Sequence, residues 1–79
     1  MSGYVAVVRQ RDDGGYTSWS PDLPGCTAAG DTFEECVRLM REAVSFHLDS
    51  LRQKGLSTPP PTAVAAVVIQ APSELFSEP

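Results

Sequence analysis

The sequence predicts an α+β domain of order β-β-β-α-β, with one helix packed on a four-stranded mixed sheet. Three observations predict it. Short β-branched or aromatic runs separated by Asp-Gly and Pro-Gly turn signals fill the first thirty residues. One long amphipathic pattern follows, with its own start and stop signals. A last apolar run, Ala63 to Ile69, comes after a Pro59-Pro60-Pro61 spacer. Seventy-nine residues allow one domain, assigned to residues 1–70, with a short tail over 71–79.

Tyr4 to Arg9 is apolar at both parities, the pattern of a strand covered on both faces. Asp13-Gly14 separates it from a second run, and glycine accepts the positive φ that tight hairpin turns require. Tyr16 to Ser20 is the second strand, with Tyr16 and Ser18 on one face and Thr17 and Trp19 on the other. Pro21 to Gly25 reads as a loop, because two prolines remove ladder donors and Pro24-Gly25 suits the centre of a type II turn. Cys26 to Ala29 makes a short third strand that Gly30 ends.

Thr32-Phe33-Glu34-Glu35 is a capping box, and its two glutamates sit at the positive end of the helix dipole. The helix runs to about Lys54 and stops at Gly55. Phe33, Val37, Met40, Val44, Leu48 and Leu51 share one stripe, assigned to the core. Leu39, Ala43 and Phe46 form a second, weaker stripe. The prolines 59–61 form a stiff spacer that cannot be helix. Ala63 to Ile69 then returns as a fourth strand parallel to the first. Leu75 and Phe76 could dock the tail.

A domain this short buries only about 60% of its unfolded surface, so oligomerisation is a natural source of stability. One helix covers one sheet face, while the first and last strands are apolar on both. The open face is a patch of a few hundred Å2, more than a soluble monomer usually leaves exposed. A homo-oligomer, dimer or tetramer, is therefore expected through that face or the second helix stripe, with Leu39, Ala43, Phe46, Val67 and Ile69 at the interface.

Ten acidic and six basic residues give a net charge of -4. That balance disfavours phosphate neutralisation and suits a basic protein partner. No apolar run reaches the ~18 residues of a membrane span, and no charged-then-apolar leader opens the chain. A cytoplasmic protein is the simplest expectation. Cys26 and Cys36 then read as reduced core residues.

No cluster makes a convincing catalytic site. Asp13, Asp22, Asp31 and Glu35 are the carboxylates a metal-dependent nuclease would need, but each has a turn, loop or cap to explain it. His47 is the sole histidine and lies near the edge of the core stripe. Paired with Cys26 or Cys36 it lacks a third, orienting group. Gly14, Gly15 and Gly25 are turn glycines with no phosphate-loop pattern around them. No catalytic residue, metal site or cofactor is expected.

The stretch Pro21-Asp22-Leu23-Pro24-Gly25-Cys26, then Gly30-Asp31-Thr32, then Glu34-Glu35 opening a helix, resembles the N-terminal domain of HicB-like antitoxins. Gly55 and the prolines before the final run fit the same pattern, so the likeness covers roughly Tyr4 to Ile69. The resemblance implies a partial ribonuclease H-like fold without ribonuclease H activity. It implies an antitoxin of a type II toxin-antitoxin system that masks a small basic HicA-type mRNA ribonuclease. Trp19, Asp22, Leu23, Pro24, Gly25 and Asp31 are the partner-binding candidates it suggests. Cys36 and Val37 stand where the family often has alanine and a larger aliphatic, and Trp19 is bulkier than usual. Many members add a C-terminal DNA-binding segment. None follows here before Pro79, so DNA binding is not expected. The alternative reading is a stand-alone HicB-like oligomeric module that regulates or interacts without a toxin.

Overall fold

The computed structural model describes residues 3–71. Three strands, β1 (Val7–Gln10), β2 (Tyr16–Ser20) and β3 (Leu23–Gly30), form an antiparallel sheet in the order β1-β2-β3. One helix, α1 (Phe33–Gln53), packs across it. β1 is shorter than its apolar run, because Tyr4 leaves the ladder and turns its side chain toward the core.

The hairpin between β1 and β2 closes where Asp-Gly predicts. The Arg11 amide donates to the Gly15 carbonyl at 2.7 Å, and the Asp13 carboxylate accepts the Gly15 amide at 2.9 Å. In the register Val7 faces Trp19 and Val8 faces Ser18, while Trp19 faces Thr27 and Ser18 faces Ala28. Ala6, Val8, Ser18, Cys26 and Ala28 therefore lie under the helix, and Val7, Thr17, Trp19 and Thr27 lie on the open face.

The third strand starts at Leu23 rather than Cys26, which corrects the loop expected over Pro21 to Gly25. Ser20 pairs with Leu23 and Trp19 with Thr27, so Pro24, Gly25 and Cys26 are accommodated as a bulge. Proline is tolerated there because β3 is an edge strand and needs no ladder donor on its outer side. Gly25 has φ +82°, a conformation that a side chain would strain.

α1 is capped as its sequence predicts, with one difference. The Glu35 amide donates to Thr32 Oγ1 at 3.1 Å, but the Glu35 carboxylate accepts from the Asp31 amide at 2.8 Å rather than from Thr32. At the far end Gly55 N–H donates to Arg52 O and Leu56 N–H to Leu51 O, the paired bonds of a Schellman motif.

The core is Leu23, Cys26 and Met40, with Tyr4, Ala28, Ala43, Val44 and Leu48 packed around them. Cys36 is completely buried, and both cysteines are free thiols. The centre of the buried helix face therefore runs through Cys36 and Met40. That is roughly 50° around the helix from the centre of the stripe read from the sequence, at ~100° per residue. Ala43 joins the core instead of the second stripe, and Phe33 is 49% exposed with its ring edge-on to Tyr16 at 6.1 Å. The shift follows from where α1 sits, which is over β3 and β2 with only slight contact to β1.

The fourth strand is not formed. Residues 63–69 belong to no strand, and Val64, Val67, Val68 and Ile69 are 76–93% exposed. The sheet is thus three-stranded and wholly antiparallel, and the mixed four-stranded expectation is corrected in this chain. Leu75, Phe76 and most of the expected tail lie outside the described residues.

Gly30 is held by packing. A Cβ at this position would meet the Cys36 backbone nitrogen at 2.7 Å. Backbone cannot move aside as a flexible side chain can, so Gly30→Ala should destabilise the fold by about 1–3 kcal/mol. Urea unfolding followed by circular dichroism checks this, with Ala29→Gly as a control at a neighbouring position without that clash.

Candidate functional site

The residues singled out by motif divide between two ends of the sheet. Asp22, Leu23, Pro24 and Gly25 lie at the β2–β3 connection and bulge, with Trp19 nearby on β2. Asp31 lies at the start of α1, beside the Tyr16–Gly30 pair at the opposite end of β2. No single cluster holds all six.

Leu23 is 1% exposed and is a core residue. It supports the bulge from beneath and offers no surface. Pro24 and Gly25 are exposed above it. Trp19 is 47% exposed on the uncovered sheet face, flanked by Arg9, Thr17, Thr27 and Ala29 in a shallow depression. Tyr16, on the opposite face of β2, packs its ring edge-on to Phe33. Asp31 is exposed with Glu34 at the positive end of the helix dipole.

Asp22 is engaged within the chain. Its carboxylate accepts the Thr62 amide at 2.8 Å, the Ala63 amide at 2.9 Å and the Thr62 hydroxyl at 2.5 Å. The Ala63 amide first, then the Thr62 hydroxyl, holds its carboxyl below the usual carboxylate range. Tyr4 adds a second tether, its hydroxyl donating to Pro59 O. Sequence reasoning missed this latch, and no local signal reveals it, because its partners lie 40 and 41 residues apart.

The expected interface residues are also dispersed. Phe46 is 77% exposed and Leu39 half-buried on one flank of α1, whereas Ala43 packs in the core. Val67 and Ile69 lie on the unpaired segment after Thr62. On the other flank of α1, Val37, Arg41, Val44 and Ser45 face Tyr4, Ala6 and Val8 across an open groove of about 470 Å3. Among the described residues, no three His, Cys, Asp or Glu side chains converge as a metal site would need. No helix among them is long and apolar enough to cross a membrane.

Known proteins are similar to this chain in sequence and in fold. The sequence matches the family described as the HicB-like antitoxin of bacterial toxin-antitoxin systems over residues 4–74. A UPF0150 protein of Synechocystis is 40% identical over 48 residues, 61% of each chain. A UPF0150 protein of Helicobacter pylori is 32% identical over 53 residues, 67% of this chain and 74% of that one. An uncharacterised 14.9 kDa protein of Haemophilus phage HP1 is 40% identical, but the match spans only 35% of its length. Among solved structures, TTHA0281 of Thermus thermophilus aligns with TM-score 0.67 at 29% identity, covering 82% of both chains. A chain of the HicA3 and HicB3 toxin-antitoxin complex aligns with TM-score 0.64 at 30% identity, covering 76% of this chain and 70% of that one.

The Asp22 latch gives a pH prediction. A carboxyl whose folded pKa is lowered stabilises above its ordinary value of 3.8 and loses that contribution as pH falls through the lowered value. The Thr62 and Ala63 amide resonances should therefore stay constant from pH 7 to about pH 4 and shift only below it. In Asp22→Ala they should take the shifts of an untethered chain at every pH, with the α1 signals unchanged.

Proposed function

The chain belongs to the HicB-like antitoxin family, and from that membership we propose that it is a non-enzymatic antitoxin. It neutralises a small basic HicA-type ribonuclease by covering it. The observation that carries this reading is the match over residues 4–74, joined to the likeness with a chain of a HicA3–HicB3 complex. The net charge of -4 agrees with a basic partner.

The contact surface we assign is the open sheet face and the exposed loop beside it. Trp19 is its anchor, since it stands half-exposed on the open sheet face and tryptophan is enriched at binding hot spots. Pro24 and Gly25 extend that surface, while Asp31 with Glu34 supplies negative charge at its other end. Asp22 shapes the loop through its latch more than it meets a cation directly. Neutralisation of this kind needs no catalytic group, because the work is steric cover of the partner's active surface.

A second reading is a self-associating module without a toxin. The exposed apolar segment Val64 to Ile69 favours it, because such a segment invites another chain.

The test is to purify the tagged protein from its own host at moderate salt and titrate any stoichiometric basic partner. Antitoxin action predicts inhibition of that partner's ribonuclease activity. Trp19→Ala should weaken binding at least about 30-fold, the loss typical of a hot spot. Binding should also weaken with salt, since exposed charges are screened within ~3 Å at 1 M. Recovery of the protein alone would favour the second reading.

A further inference from the structure

We propose that residues Val64–Ile69 form an exchanged strand: they pair with the free edge of β1 in a second copy of this chain and fill the groove between β1 and α1 there. The two copies exchange these arms reciprocally, so each sheet gains its fourth strand from its partner. This inference does not depend on the identity of any toxin.

The receiving site is incomplete as it stands. Among the described residues β1 pairs only with β2, so its outer edge presents backbone donors and acceptors that none of them pairs. Beside that edge, Tyr4, Ala6 and Val8 face Val37, Met40 and Val44 across the open groove. On the helix Val37 and Val44, both only half-buried, lie on the side of the apolar stripe that the three-stranded sheet leaves open, next to the buried Met40. A strand added along β1 would cover them and centre α1 on the sheet.

The arm has the matching chemistry. Residues 63–69 read Ala-Val-Ala-Ala-Val-Val-Ile, uncharged and rich in β-branched side chains. Four of these side chains are 76–93% exposed, far more apolar surface than an ordinary segment shows. Burying one such side chain removes roughly 60–120 Å2 from water. Strand alternation turns two of the four into the groove, so two arms and the two grooves they fill would bury roughly 500–1,000 Å2, to which the side chains on the other face and the new ladder hydrogen bonds add.

The arm's root points to a second copy rather than to its own β1. The chain meets Tyr4 at Pro59, then moves on to Asp22, which fixes Thr62 and Ala63 at the β2–β3 connection. The vacant position on β1 lies two to three interstrand spacings from there, about 10–14 Å. Crossing that distance would use three or four of residues 63–69 and leave only three or four of the apolar run to pair. A neighbouring molecule imposes no such crossing. The resulting contact is isologous, so it closes as a two-fold dimer and does not propagate.

The test mixes isotopically labelled and unlabelled full-length protein and records intermolecular nuclear Overhauser effects, with sedimentation equilibrium on the same sample. Exchange predicts a dimer with contacts between the Val64–Ile69 methyl groups of one copy and Ala6 and Val8 of the other. The double substitution Val67→Lys and Val68→Lys should weaken the dimer at least about 100-fold and leave the α1 signals in place. A monomer, arm-to-β1 contacts confined to one chain, or a dimer untouched by the double substitution would each overturn the proposal. If Val67→Lys with Val68→Lys fails to fold, Val67→Asn alone is read in the same assays.

Discussion

Everything else in this structure depends on how closely α1 seats against β3. The contact begins at Gly30, where the strand's last residue lies against the backbone of Cys36. It continues at Cys36, whose thiol lies against the Ala28 carbonyl, and at Met40, which closes over Cys26 and Leu23. Larger residues at Gly30 or Cys36 would lift the helix from the sheet, and the Thr32 cap sets the angle from which it starts. Ser18 lies buried beneath it with a small side chain that allows the approach.

A helix seated over the β3 side leaves the β1 side open, and that asymmetry organises the surface. One flank of α1 meets core, and the other borders a groove that the chain's own strands do not fill. The opposite sheet face carries Trp19 without cover. Two distinct surfaces therefore exist: an open sheet face suited to a foreign partner, and a strand edge suited to a β-segment. Asp22 links them, since the same loop that borders Trp19 also anchors the root of the apolar arm. The proposed toxin contact and the proposed strand exchange therefore fall on separate faces.

Much of this was legible in the sequence, and particular residues show why. The hairpin at Asp13-Gly14, the Thr32 cap and the stop at Gly55 rest on local backbone chemistry, which acts wherever the chain goes next. The motif Gly30-Asp31-Thr32 was readable as a helix start, and it also records the close approach to Cys36. Pro24 was misread because its tolerance depends on β3 being an edge, a tertiary fact. The core stripe was displaced for a similar reason: periodicity reports which residues are apolar but not which neighbour covers them. Residues 63–69 carry a strand's composition without a strand partner among the described residues. Among the site residues, alternation along β2 put Trp19 on the face opposite Tyr16 and Ser18, but only the position of α1 decides which of those faces is covered. Leu23 was not legible as core, because two prolines hid its strand. The Asp22 latch was invisible, because it spans 40 residues of chain.

Amide hydrogen exchange of the full-length protein across a concentration series measures the central asymmetry most directly. The account predicts that β2, β3 and α1 are protected at every concentration. Protection of β1 and of residues 63–69 should rise together as concentration rises. Residues 63–69 exchanging at free-chain rates at all concentrations, or protected equally at high dilution, would contradict it.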